Sequence, residues 1–170
     1  PLWLAATSPA GARRAAAFGT HLLPQGPKSL TIDPWKEAVG DISDRRVGLI
    51  RGVFVTDDPD KEWEPVAAAE QYRRDVYVGL IKASQDHKSE VASRSVPKAA
   101  RAPIPLNPLV WTVGNADHCV AELQELITSN GITDLVTWGG PPGLAPSVMN
   151  DSLTKFAQDV IPRLQPNVGE

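Results

Sequence analysis

Thr7-Ser8-Pro9-Ala10-Gly11 is the stretch of this chain best suited to hold an anion. Ser8 is placed to be the N-cap of a helix and Pro9 its first residue. A helix N-terminus presents free N–H groups and the positive end of the helix dipole, and the Ser8 hydroxyl adds a donor. That combination suits a phosphate. The N–H groups of Ala10 and Gly11 would join it, and Gly11 carries no side chain to hold an anion away. The plainer reading is a simple cap, because Ser-Pro starts many helices. Arg13 and Arg14, a turn later, read as solvent-exposed.

Other reactive side chains are sparse. His21, His87 and His118 are far apart and make no His-x-x-x-His pair. His21 reads as a buried, hydrogen-bonded ring that could also line a site, His87 as solvated, and His118 as exposed in the first turn of a helix. Cys119 is the one cysteine. It permits no intrachain disulfide and no Cys-based zinc site, and it lacks an adjacent base that would make it a nucleophile. There is no G-x-G-x-x-G, P-loop or paired-carboxylate signature. Trp138 precedes a Gly-Pro loop over 139–143 that could shape a substrate mouth or simply turn the chain. Trp111 could cover a pocket or pin a loop. No residue stands out as a general acid or base, so the catalytic residues stay unassigned.

These residues need elements to hold them. Residues 2–6 are an apolar segment of strand length. A helix over 10–18 follows, stopped by Gly19. Residues 20–23 make a very short strand ended by Pro24, and 24–45 read as mostly loop with one short helix capped by Asp33. The clearest strand is 46–56, rich in β-branched residues. On it Gly48, Ile50, Gly52 and Phe54 share one face; Leu49, Arg51, Val53 and Val55 share the other. Arg51 therefore reads as half of a structural salt bridge.

After Asp57-Asp58-Pro59, Trp63, Val66, Tyr72, Val76 and Leu80 form an amphipathic helical stripe, with a kink or late start expected at Pro65. Residues 85–107 read as an irregular excursion. Asn115 caps a helix over 117–128 that stops at Asn130-Gly131. A strand over 132–138 and a final helix carrying Met149, Leu153, Phe156, Val160 and Leu164 complete the chain. The expectation is four strands alternating with helices, an α/β fold with a parallel sheet.

The chain has 170 residues, the length of one domain. Its 17 Lys and Arg against 20 Asp and Glu leave a net charge of −3. This speaks against nucleic acid and basic membrane-surface binding, and no apolar run reaches the ~20 residues of a membrane span. Pro1 leads directly into an apolar run with no basic region before it, so no signal peptide is read there. It reads as a strand cut at its beginning, hence a fragment. A cytoplasmic location is expected.

Four stretches, in order, resemble the luciferase-like flavin-dependent monooxygenase superfamily, the group of bacterial luciferase, the alkanesulfonate monooxygenases and the F420-dependent reductases. They are Leu2-Trp3-Leu4-Ala5-Ala6-Thr7-Ser8-Pro9 with Phe18-Gly19; Val53-Phe54-Val55-Thr56-Asp57-Asp58-Pro59 with Trp63; Val113-Gly114-Asn115-Ala116-Asp117 with Val120 and Leu123; and Gly131-Ile132-Thr133-Asp134 with Pro142-Gly143-Leu144, Phe156-Ala157 and Val160-Ile161-Pro162. The resemblance covers most of the chain outside 24–45 and 85–107.

It implies that residues 1–170 are the C-terminal half, strands five to eight, of a (β/α)8 TIM barrel. It implies a cofactor, FMN or alternatively F420, at the barrel mouth, its phosphate on Thr7, Ser8, Ala10 and Gly11. Ile50 and Gly52 stand where the alkanesulfonate branch has an Arg and a His. That departure points away from sulfonates and toward a roomy, apolar substrate pocket lined by Ile50, Gly52 and Trp138. The implied function is a flavin-dependent oxidoreductase using reduced FMN with O2, or F420, on a small organic substrate. The alternatives are a non-catalytic flavin-binding protein of the same fold and an α/β domain with another phosphate ligand. The expected partners are a small-molecule substrate, the missing N-terminal half and, at full length, a second copy in a homodimer. The half alone is expected to be inactive.

Overall fold

The computed structural model describes residues 1–86, 110–138, 140 and 144–165, with the backbone alone at 65, 66, 68, 69 and 81–86. The chain opens with β1 (Trp3–Ala6), α1 (Pro9–Ala17) and β2 (His21–Pro24), and the two strands pair in parallel. Ser8 caps α1, accepting the Gly11 N–H, and Gly19 leaves it at φ +64°, a conformation that only glycine adopts at little cost. Ala12 and Ala15 are fully buried, and their small side chains let α1 lie close to the core.

Next comes α2 (Ile32–Val39), preceded by a short 3-10 turn. Thr31 is its N-cap residue, not Asp33, which lies within the first turn. Thr31 uses its hydroxyl backwards instead, donating to the Gly26 and Pro27 carbonyls. Segment 24–45 is thus more ordered than a loop: Ile32 and Trp35 are fully buried.

The central strand is β3 (Gly48–Val55), paired in parallel with β4 (Trp111–Gly114) on one side and β5 (Asp134–Trp138) on the other. Backbone groups of alternate residues point to opposite edges of a strand. The Arg46 carbonyl accepts from Leu22 and the Thr56 N–H donates to Gly114, whereas the Val47 carbonyl accepts from Thr133. So β2 runs beside the start of β3 and β4 beside its end, both on one edge, with β5 on the other edge. The order is β1-β2-β3-β5, with β4 set in beside the upper half of β3. Among the described residues there are five strands, one more than expected. The run containing Trp111 is a strand and not a loop.

α4 (Ala116–Asn130) begins under an Asn115 cap that accepts the His118 N–H and ends on Gly131 in the left-handed region. α5 (Pro146–Lys155) passes into a π turn over Phe156–Val160 and a 3-10 turn over Ile161–Arg163. Regular helical spacing was expected through Leu164, but Pro162 has no N–H to continue it. The wider turn still leaves Val160 fully buried. The core lies on the helix side of the sheet, where Leu49, Val53 and Val55 meet Cys119, Leu123 and Leu126.

α3 (Pro59–Asp86) behaves differently. It already begins at Pro59, so the late start expected at Pro65 does not occur. Trp63 packs on the sheet, but Tyr72, Val76 and Leu80 are exposed, so the expected stripe is not a core face. Val66 is placed in backbone only. Because α3 runs to Asp86, the expected excursion starts later than 85, and its remainder, 87–107, lies outside the described residues together with His87.

Candidate functional site

Partners in a parallel ladder point their side chains to the same face. The registers therefore place Trp3, His21, Leu23, Gly48, Ile50, Gly52, Phe54, Val136 and Trp138 on the face away from the core. This inner face and the C-terminal ends of the strands are where an α/β sheet keeps its ligands. Thr7, Ser8, Ala10 and Gly11 are together at the end of β1. Thr7, Ser8 and Ala10 are exposed. The Gly11 N–H is held by Ser8 Oγ at 3.3 Å and the Ala12 N–H by the Ser8 carbonyl at 2.9 Å. Pro9 has no N–H, so the first-turn donors left to face outward are the Ala10 N–H and the Ser8 hydroxyl. The end of β2 closes against this turn: the Gln25 N–H donates to the Ala6 carbonyl at 2.9 Å.

Across the inner face, Gly52 is paired with Trp111 on one side and Trp138 on the other, a Trp-Gly-Trp row. The space above Gly52 is not open. A Cβ built there would fall 2.3 Å from Cδ2 of Trp111. The indole of Trp111 occupies the room expected for substrate. Trp63 of α3 packs on Trp111, with centroids 5.5 Å apart, and on Phe54 at 5.8 Å. Arg73 lies 6.0 Å over the Trp138 ring and grips Glu70 through two nitrogens. α3 thus covers the upper end of the inner face. This cover was not legible in advance, since Trp63 was read only as part of an amphipathic helical stripe. The aromatic and charged residues one side of α3 shares with the sheet ends were the available signal.

Ile50 and Val136 stand in the row below, half-buried and exposed respectively. His21, also on this face, is half-buried; its Nδ1 accepts the Arg46 N–H at 3.3 Å, and its ring lies 4.8 Å from Trp3. The hydrogen-bonded reading of His21 holds, on a face where it could line a site.

On the core face, Arg51 is only 1% exposed. It pairs with Glu122 and donates to Thr112 Oγ1 at 3.1 Å, and Thr112 donates to Glu122 at 2.8 Å. His118 Nε2 sits 3.3 Å from the other Glu122 oxygen. The structural salt bridge expected of Arg51 is present. Cys119 is buried beside this network; desolvation, with Glu122 adding to it, pushes its thiol up to about 11. It is not a poised nucleophile. No group of three or more potential metal ligands occurs among the described residues, and no described helix is long and apolar enough to cross a membrane.

No protein-family model and no curated protein matches this sequence. Solved structures do. The chain is similar to an F420-dependent secondary alcohol dehydrogenase in complex with an F420-acetone adduct, at 20% identity and a TM-score of 0.60, over 97% of this chain and 49% of that one. It is similar to apo-MsnO8, at 17% identity and a TM-score of 0.62, over 97% and 51%. A third likeness is the coenzyme F420 dependent tetrahydromethanopterin reductase from Methanopyrus kandleri, at 16% identity and a TM-score of 0.60, over 97% and 51%. The chain therefore has the fold of part of these proteins and spans about half the length of each.

Proposed function

We propose that this chain is the cofactor-phosphate half of a luciferase-like oxidoreductase, and that its cofactor is F420. The observation that carries the reading is the Ser8 turn. It is an exposed, capped helix start at the C-terminal end of a parallel strand, beside an inner sheet face lined with aromatic residues. Two of the three structural relatives are F420 proteins by their descriptions, whereas nothing in the comparisons supports FMN. The turn fits an anion: the Ala10 N–H and the Ser8 hydroxyl face outward, and no acidic side chain occurs between Trp3 and Gly19. When bound, the deazaflavin would supply hydride chemistry. The protein's part is to hold the phosphate at Thr7, Ser8 and Ala10, with Gly11, whose N–H is taken by Ser8 Oγ, leaving room for it without donating, and to shape the substrate side with Ile50 and Trp138, Gly52 lying under the Trp111 ring. This reading also assigns to the edges of β1 and β5, which pair with no further strand among the described residues, a complementary half of similar size, and to the full-length protein a homodimer in the cytoplasm.

Titration of F420 by its own fluorescence tests the site. Ser8→Ala should weaken binding by about 1–2 kcal/mol, the cost of one hydrogen bond to a charged group, or about five- to thirtyfold in Kd. Ser8→Glu should weaken it more, by charge repulsion. Unchanged affinity in both variants removes Ser8 from the site.

A second reading, a cofactor-binding protein without turnover, is favoured by one observation: Trp111 fills the space above Gly52. Bound F420 without substrate-dependent reduction or oxidation would establish it.

A further inference from the structure

Of the asparagines, Asn107, Asn115, Asn130, Asn150 and Asn167, only Asn130 precedes a glycine. Gly131 carries no side chain to shield its backbone nitrogen, so the neighbouring asparagine amide is open to attack by it. We propose that Asn130 is a latent self-modification site, converted to aspartate and isoaspartate by the Gly131 nitrogen when the turn from α4 into β5 opens. The chemistry is independent of the oxidoreductase reading.

The reaction needs no reagent but water. The Gly131 nitrogen attacks Asn130 Cγ. A bond forms between them, the Cγ–Nδ2 bond breaks, and the proton lost from the Gly131 nitrogen leaves with Nδ2 as ammonia. Water then opens the cyclic imide at either carbonyl. Opening at Cγ gives aspartate with the backbone unchanged. Opening at the backbone carbonyl gives isoaspartate, with the main chain running through Cγ and longer by a methylene. Nothing is oxidised or reduced.

The folded chain holds both reacting groups. The Gly131 N–H donates to the Ile127 carbonyl, and Gly131 stands at φ +67°. Asn130 is 9% exposed, and its Nδ2 donates to the Leu126 carbonyl at 2.9 Å and to Ser129 Oγ at 3.0 Å. Two further bonds close the turn. Lys28 Nζ donates to the Ser129 carbonyl at 3.0 Å, and the Ile132 N–H to the Ile127 carbonyl at 3.0 Å. The nucleophile and its target therefore meet only through a local opening.

The product does not fit the place it leaves. A carboxylate is an acceptor only. The Leu126 carbonyl loses its donor, and the Ser129 hydroxyl already gives its proton to the Glu125 carbonyl at 2.6 Å. The new negative charge lies at a helix C-terminus, which favours cations. Isoaspartate would also lengthen the chain just before Ile132, which is 2% exposed. A turn that has reacted is thus biased to stay open, and the modification records the time the chain has spent open there.

The test follows the full chain in mildly alkaline buffer, folded and in denaturing urea. Mass spectrometry of the peptide carrying Asn130 counts the exchange of NH2 for OH, and fragmentation separates aspartate from isoaspartate. Modification should be at least about tenfold slower in the folded chain, because local opening is the minor state. Hydrogen exchange of the Gly131 amide should slow by the same factor, since both need the same opening. Lys28→Ala should raise the folded-state rate severalfold and leave the rate in urea unchanged. Asn130→Asp should lower the urea midpoint. Equal rates in the folded and unfolded chains, modification faster than Gly131 exchange permits, or an Asn130→Asp variant as stable as the wild type overturns the proposal. If that variant fails to fold, the two wild-type rates and the Gly131 exchange still decide.

Discussion

The two faces of β3 carry neighbouring residues into opposite situations. On the core face Leu49, Val53 and Val55 are buried under the helices, and even Arg51 is satisfied there, by Thr112 and Glu122. On the inner face Gly52 and Phe54 are buried only because α3 and the Trp111 ring reach over them, and one row lower Val136 is exposed. The core face is sealed by the elements that follow each strand in order. The inner face is sealed in patches, by rings that arrive from α3 and β4. A parallel sheet is ordinarily buried on both faces, so the uncovered rows are the part of this molecule that asks for a further layer.

Removing the charge from the sealed face should have the largest effect. Arg51→Ala strands the Glu122 carboxylate beside a buried cavity, and breaking one side of a buried ion pair costs about 3–5 kcal/mol. Urea unfolding should show that loss. Replacing Arg51 and Glu122 together by Met and Leu should recover most of it. Equal losses in the single and double variants would mean that the side chains matter for packing and not for charge.

On the inner face, Gly52→Ala tests the Trp111 seal. The new methyl would fall 2.3 Å from the indole, and such overpacking costs about 1–3 kcal/mol. Shrinking the ring in Gly52→Ala/Trp111→Leu should be less destabilising than the sum of the two single changes. Additive effects would place the Trp111 ring elsewhere in solution.

A third effect belongs to the sealed face and depends on pH. The Cys119 thiol is raised from 9.0 to about 11 in the folded chain. The folded state therefore holds this proton more tightly than the unfolded one. Its contribution to stability is complete below about pH 9 and is lost as pH rises to about 11, at up to about 1.4 kcal/mol per pH unit. Tyrosines and lysines titrate in the same range, so the measurement is a difference: Cys119→Ala should flatten the alkaline limb of urea midpoints relative to the wild type. Identical limbs would put the thiol in contact with water.

The same contrast governs what could be read from the sequence. Ser8, Gly19, Asn115 and Gly131 were legible as helix ends because capping is decided within three or four residues. The two faces of β3 were legible because alternation is local. β4 was not. Its four residues follow a Pro-rich stretch, and they become a strand by pairing with Gly52–Val55, far back in the chain. For the same reason Gly52 looked like an open floor: its occupant comes from that unread strand. The stripe on α3 misled because helical spacing of Tyr72, Val76 and Leu80 shows an apolar face without showing that anything covers it. Of the candidate site, the Ser8 turn was fully local, whereas the Glu70–Arg73–Trp138 arrangement needed α3 to be laid across the sheet.

The smallest effect expected is also the most telling about the uncovered rows. Val136 is 51% exposed and shares the inner face with Ile50. Val136→Thr keeps the shape and adds a hydroxyl that water can reach, so its cost should stay within about 0.5 kcal/mol. Val53→Thr makes the same change on the sealed face, where a hydroxyl without a partner costs about 1–3 kcal/mol. Urea unfolding of both variants at two protein concentrations sets the comparison. If Val136→Thr is nearly neutral at both, the inner rows are open to solvent in the chain by itself. If it costs as much as Val53→Thr, and more at high concentration than at low, a second copy covers that face. The mass-action dependence separates this from a static cover, because only association makes stability rise with protein concentration. A cost that is large and independent of concentration would mean that part of this same chain closes over Val136, and the division between a sealed and an open face would have to be redrawn.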